Sequence, residues 1–163
     1  MIEGRVWRYG DDVNTDVIFP GKYTYQPLTP EEMTEHALED LDPDFAKEVK
    51  EGDVIVAGAN FGCGSSREQA ATCLKAAGVA AVIAKSFSRI FFRNAINNGL
   101  PVVELREGID EIKKDDTVKI DFEKGIVIHE SNEYHFPALP AEVLDILEDG
   151  GLIPHVRKEL GKS

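Results

Sequence analysis

A glycine-rich turn that leaves a strand and enters a helix fixes more of this chain than any other segment. It reads Gly58-Ala59-Asn60-Phe61-Gly62-Cys63-Gly64-Ser65-Ser66-Arg67-Glu68-Gln69-Ala70. Before it, residues 52–57 are a turn followed by a β-branched run, which predicts a strand. After it, a helix is predicted to about Ala77 and is stopped by Gly78, and residues 79–84 are an all-apolar strand. Strands joined through a helix are expected to lie parallel, buried on both faces, with a right-handed crossover. The turn then sits at the carboxyl end of its first strand, the edge where ligands gather in open α/β sheets.

Ser65 and Ser66 stand where the helix cap is expected, with Arg67 beside them. A helix start exposes unpaired N–H groups and the positive end of the dipole, so this mouth suits an anion or a developing oxyanion. The same residues also fit a capping box in which Glu68 reaches back to the Ser65 backbone, so a plain helix cap is an open alternative on these four residues. A Walker phosphate loop needs a lysine after Gly64, where Ser65 stands. A dinucleotide fingerprint needs a small residue where Arg67 stands, and it fails too.

Elsewhere the grammar is that of a mixed α/β domain. A strand runs to Tyr9, then Gly10-Asp11-Asp12-Val13-Asn14-Thr15-Asp16 is a polar turn. Its acidic spacing starts like a calcium loop, but Val17 occupies the glycine position and Tyr23 the final glutamate position, which excludes calcium. Thr29-Pro30-Glu31-Glu32 is a helix start with its capping box, predicting a helix to about Leu38, and Asp42-Pro43 predicts a second to about Val49. A helix over 87–98, a buried strand over 100–105, a hairpin of 117–122 with 126–129, and helices over 140–148 and 152–160 complete the reading.

Charge and cysteines narrow the partners. A net charge of −12 repels phosphate backbones and anionic bilayers, so neither nucleic acid nor membrane is expected as a partner. Between residues 57 and 100, however, Arg67, Lys75, Lys85, Arg89 and Arg93 face the single acid Glu68, which suits a small anionic substrate at the turn. Two cysteines, Cys63 and Cys73, cannot complete the roughly four-ligand set of a zinc or iron–sulfur site, so no metal is expected on this chain. Cys63 reads as a small residue in a tight loop, and His36, His129, His135 and His155 are assigned no role. The length of 163 residues predicts one domain over 1–163. The opening Ile2-Glu3-Gly4-Arg5-Val6-Trp7 lacks a basic region followed by an apolar one, so cytoplasmic residence is expected.

Four segments in order carry a resemblance: Asn14-Thr15-Asp16-Val17-Ile18-Phe19-Pro20-Gly21, the turn from Gly58 to Glu68, Ala84-Lys85-Ser86-Phe87-Ser88-Arg89-Ile90-Phe91, and Asn97-Asn98-Gly99-Leu100-Pro101. With them the chain resembles the swivelling domain of the aconitase superfamily, in the stand-alone small-subunit form found among the isopropylmalate dehydratases. The resemblance implies a swivelling three-layer β/β/α domain with a mixed sheet. It implies a hydro-lyase that moves a hydroxyl to the neighbouring carbon of a small di- or tricarboxylate, active only with a large subunit. That partner is expected to carry a 4Fe-4S cluster acting as Lewis acid, with no cofactor on this chain.

By position in the motif, the resemblance makes Ser65 the catalytic base, with Ser66 and Arg67 holding substrate. Arg67 would also steady the Ser65 alkoxide. Asp16, Asn60 and Glu68 are expected to line or brace the site. Substrate choice is expected in the loop Lys22-Tyr23-Thr24-Tyr25-Gln26, where Tyr23 and Tyr25 would meet substrate. The aromatic Tyr25 suits an isopropyl group and leucine biosynthesis, while Lys22 keeps homoaconitate and lysine biosynthesis as the alternative. A non-catalytic anion-binding regulatory module is the reading of a different class. Self-association of the isolated chain is left open.

Overall fold

A computed structural model describes residues 1–23, 25–65 and 67–161. Seven strands form one sheet: β1 (Ile2–Arg8), β2 (Val54–Ala57), β3 (Ala81–Ala84), β4 (Val102–Glu104), β5 (Thr117–Asp121), β6 (Ile126–His129) and β7 (Asn132–His135). Their order is β4-β3-β2-β1-β5-β6-β7. The helices are α1 (Thr15–Ile18), α2 (Pro30–His36), α3 (Phe45–Glu48), α4 (Gln69–Ala76), α5 (Arg89–Asn97), α6 (Ala141–Glu148) and α7 (Leu152–Gly161). No helix among the described residues is long and apolar enough to cross a membrane.

β1 divides the sheet into two kinds. On one side it runs parallel to β2, with Val6 opposite Val54, and β2, β3 and β4 continue in parallel. On the other it pairs antiparallel with β5, Ile2 opposite Ile120, and β5, β6 and β7 form a meander. The sequence explains the contrast. Val54-Ile55-Val56-Ala57 is buried at every position, as a strand covered on both faces must be, whereas β5 alternates exposed Thr117 and Lys119 with buried Val118 and Ile120.

Two cores follow from that alternation. Trp7, Ile55, Ala57, Val82, Ala84 and Val102 pack with Phe19, Phe45, Leu74, Phe91 and Ile96 on the helical side. Val6, Val54, Val56, Ala81, Ile83 and Val103 pack instead with Val118, Ile120 and Val127. One cluster shared by β2–β4 and β5–β6 means that the sheet curls, laying its antiparallel half behind its parallel half. The result is the expected β/β/α layering.

Local signals were met unevenly. The Thr29 capping box is present: the Glu32 N–H donates to Thr29 Oγ1 at 3.2 Å and the Thr29 N–H to Glu32 Oε1 at 3.4 Å. The helix expected from Asp42-Pro43 begins later, at Phe45 with Asp44 as cap, because the Asp42 carboxylate accepts the Asp44 N–H and the Tyr9 hydroxyl. Burial and that carboxylate push the Tyr9 hydroxyl above its ordinary pKa. Both α1 and β7 appear where no regular element was expected. Three of the four histidines have carboxylate partners: His36 with Glu39, His129 with Asp116 and His155 with Asp149.

Candidate functional site

Three adjacent parallel strands, β1, β2 and β3, end on one edge of the sheet, and each end leads into one of the singled-out segments. β1 leads to Val13-Asn14-Thr15-Asp16, β2 to the glycine-rich turn, and β3 to Lys85-Ser86-Phe87-Ser88. Backbone bonds join them. Gly62 donates to the Val13 carbonyl at 2.7 Å and Thr15 to that of Cys63 at 2.8 Å. Phe61 donates to the Ser86 carbonyl and accepts from the Ser88 N–H, both at 3.0 Å. Gly62 has φ +79°, and a Cβ there would sit 2.3 Å from the Phe91 side chain, so the turn can approach α5 only as glycine.

The turn delivers Ser65 to solvent beside the first segment. Asn14 caps α1 by accepting the Val17 N–H at 2.9 Å, which places Thr15 as the first helical residue, only 2% exposed. Thr15 Oγ1 accepts the Ser65 backbone N–H at 3.1 Å and lies 3.0 Å from Ser65 Oγ. Arg67 Nε donates to the same Ser65 oxygen at 2.9 Å, and Arg67 Nη2 pairs with the Asp16 carboxylate. A Cβ on Gly21 would lie 2.7 Å from Arg67 Nη1 and 2.8 Å from Asp16 Oδ1, so the first segment closes over that pair as well. Ser65, Arg67 and Asp16 are therefore brought together, and Thr15 joins them as a residue the sequence reading missed. Its only signal was its place between Asn14 and Asp16.

The helix mouth is corrected. α4 starts at Gln69 with Glu68 as an unbonded cap, so neither Ser65 nor a Ser65–Glu68 capping box begins it. The reason is competition: Thr15 takes the Ser65 amide and hydroxyl, and the Glu68 carboxylate accepts from Asn98 Nδ2 at 3.0 Å. The donor on the Ser65 oxygen is thus a guanidinium, with a threonine hydroxyl in reach. Ser66 lies outside the described residues.

The remaining residues divide by distance from this pair. Asn60, at φ +61°, braces rather than reaches: its N–H donates to Ser86 Oγ at 2.7 Å and its Nδ2 to Asp12 at 3.1 Å. Tyr23 stacks on His36 with ring centroids 3.9 Å apart, and its hydroxyl donates to Glu39 at 3.0 Å. Burial and that carboxylate raise the Tyr23 pKa. Tyr25 is 98% exposed. Lys22 lies over the Tyr23 ring and 3.7 Å from Glu39, so its charge is already answered. Among the distant cations, Lys85 bonds Asp110 at 3.2 Å and Lys75 the Gly99 carbonyl at 3.1 Å.

No group of three His, Cys, Asp or Glu side chains among the described residues could hold a metal ion. Cys73 is fully buried, its thiol against the carbonyls of Ile18 and Ala70, and burial pushes its pKa up. Both thiols, of Cys63 and Cys73, are free.

Comparison with known proteins identifies the family and the fold. Residues 13–108 match the model of the aconitase C-terminal domain, a span holding all four segments. The 3-isopropylmalate dehydratase small subunit 1 of Thermotoga maritima is similar at 51% identity, covering 97% of this chain and 96% of its own. The corresponding protein of Archaeoglobus fulgidus is 54% identical, covering 92% and 93%. A crystal structure of 3-isopropylmalate dehydratase from Methanocaldococcus jannaschii superposes with a TM-score of 0.90 at 46% identity, covering 97% of this chain and 94% of that one.

Proposed function

The chain belongs to the aconitase C-terminal domain family, among the 3-isopropylmalate dehydratase small subunits, and from that premise we infer that it supplies the proton-transfer half of a two-chain active site. The enzyme is a hydro-lyase of leucine biosynthesis that dehydrates and rehydrates isopropylmalate. In this reading residues 1–163 act as one swivelling unit in the cytoplasm, docked on a large subunit. The large subunit carries the 4Fe-4S cluster, which supplies the Lewis-acid chemistry at the departing hydroxyl.

The observation that carries the reading is Arg67 Nε on Ser65 Oγ at 2.9 Å at an exposed edge of the sheet. Abstraction of a proton beside a carboxylate needs a base, and an ordinary serine hydroxyl is too weak an acid to supply its anion. A guanidinium fixed against the oxygen lowers the cost of that anion without reorganising during the reaction. Asp16 holds the guanidinium in place through its other side. Arg67 also binds a substrate carboxylate, and Ser66, Tyr23 and Tyr25 meet substrate once the large subunit docks; Asn60 and Glu68 brace the loop. Lys22, already paired with Glu39, does not supply the extra cation homoaconitate would want.

Ser65→Ala separates catalysis from mere anion binding. In the pair reconstituted with its large subunit, kcat on isopropylmalate should fall by at least ~10³-fold while substrate still binds. Ordinary turnover by that variant would leave only the binding-module reading.

A further inference from the structure

Thr15 has no other side-chain hydrogen-bond partner among the described residues than Ser65, and it meets that residue twice. Its oxygen accepts the Ser65 backbone N–H at 3.1 Å, so its own proton remains to be placed. Ser65 Oγ, 3.0 Å away, is the acceptor in reach. Thr15 as a residue is only 2% exposed, which leaves water little access to the pair.

We propose that Thr15 is a positioning residue for the base: its hydroxyl donates to Ser65 Oγ, shares with Arg67 the stabilisation of the serine alkoxide, and aims that oxygen's remaining lone pair at the substrate. The proposal rests on Ser65 being the base. An alkoxide has three lone pairs. Arg67 Nε and the Thr15 hydroxyl occupy two, which leaves the third for the substrate at an exposed residue. In the reaction the substrate C–H bond breaks and a Ser65 O–H bond forms. The C–H electron pair spreads into the adjacent carboxylate and then becomes the new carbon–carbon π bond, while the C–O bonding pair leaves with the neighbouring hydroxyl. In rehydration the hydroxyl adds at the carbon that lost the proton and Ser65 gives a proton to its neighbour, which restores the alkoxide.

The arrangement also accounts for Gly64. A Cβ at that position would lie 3.3 Å from Thr15 Oγ1, tighter than ordinary contact, so a bare backbone is what lets the threonine hydroxyl reach the serine. Thr15 itself is fixed from below by α1, whose cap Asn14 and backbone bond to Cys63 leave it no freedom to swing away.

The test uses Thr15→Val, which keeps shape and removes the donor, and Thr15→Ser, which keeps the donor and removes a methyl. Thr15→Ala repeats the loss of the donor should valine disturb folding, and melting temperature and large-subunit co-elution are recorded for each. In the reconstituted enzyme Thr15→Val should lower kcat about 100-fold with KM within about threefold, as loss of one donor to a developing oxyanion does. The rising limb of its pH–rate profile should move to higher pH, since an anion that loses a donor forms less readily. Thr15→Ser should recover most of kcat with the original limb. A Thr15→Val or Thr15→Ala enzyme with the original limb and kcat overturns the proposal, as does a loss of kcat in both hydroxyl-free variants and Thr15→Ser without any movement of the limb. Ser65→Ala assayed alongside keeps the two ideas apart: if it is dead and Thr15→Val is normal, only the threonine's role is lost, whereas an active Ser65→Ala removes the base.

Discussion

Arg67 bridges two segments that are about fifty residues apart, holding Ser65 with Nε and Asp16 with Nη2. A lysine has the charge but not the fork, and cannot serve both acceptors in these directions. Arg67→Lys should therefore lower kcat/KM for isopropylmalate by ~10²-fold or more in the reconstituted enzyme, with both kcat and KM affected. A variant with unchanged kinetics would mean that charge alone suffices. Ser65 and Arg67 could be picked out in the sequence because the glycine-rich turn ends on them, and Asp16 through the family resemblance of its segment. Thr15 could not. Its hydroxyl acquires a role only because Gly64 lets a distant loop come within hydrogen-bond reach, and nothing local to Thr15 records that approach.

At the level of single elements, legibility follows how local the determining interaction is. The α2 capping box lies within four residues and was read correctly. Thr29→Ala should cost about 1 kcal/mol, seen as a melting temperature lower by roughly 2–4 °C, with activity retained. A loss of activity instead would tie α2 to the site more closely than its exposed face suggests. The start of α4 was misread because Ser65 and Glu68, which look like a cap in sequence, are claimed by Thr15 and Asn98 from elsewhere in the chain. β7 escaped because Asn132-Glu133-Tyr134-His135 is an edge strand in which only Tyr134 is half-buried, too little to impose alternation. α1 is a single turn whose Asn14 cap is also the signature of a plain Asx turn.

For the molecule as a whole, the strand–helix–strand unit was plain from its apolar runs, but the curl of the sheet was not, since it depends on Ile120 and Val127 meeting Val54 and Ile83 across the back. Acid should undo the whole in a definite window. Asp110, Asp116 and Asp149 are held below the usual carboxylate range by hydrogen bonds from Lys85, from the Lys113 N–H and His129, and from His155 and Lys158 respectively. In Glu39 burial works the other way, and the bonds from His36 and Tyr23 outweigh it. Depressed folded values mean stability that is complete above the unfolded values near ~4 and lost as pH falls through the folded ones. The melting temperature should be level from about pH 7 to about pH 5 and drop below about pH 4. A level profile to pH 3 would show these pairs to be idle. The place of β1 at the seam has its own outcome during synthesis. Ribosomes that have released the chain as far as β4 have already made half a sheet, yet one rim of β1 must wait for β5, whose Ile120 is to lie against Ile2. Until then that bare rim is open to any stray strand, so nascent chains stalled between β4 and β5 should be the species that chaperones hold longest.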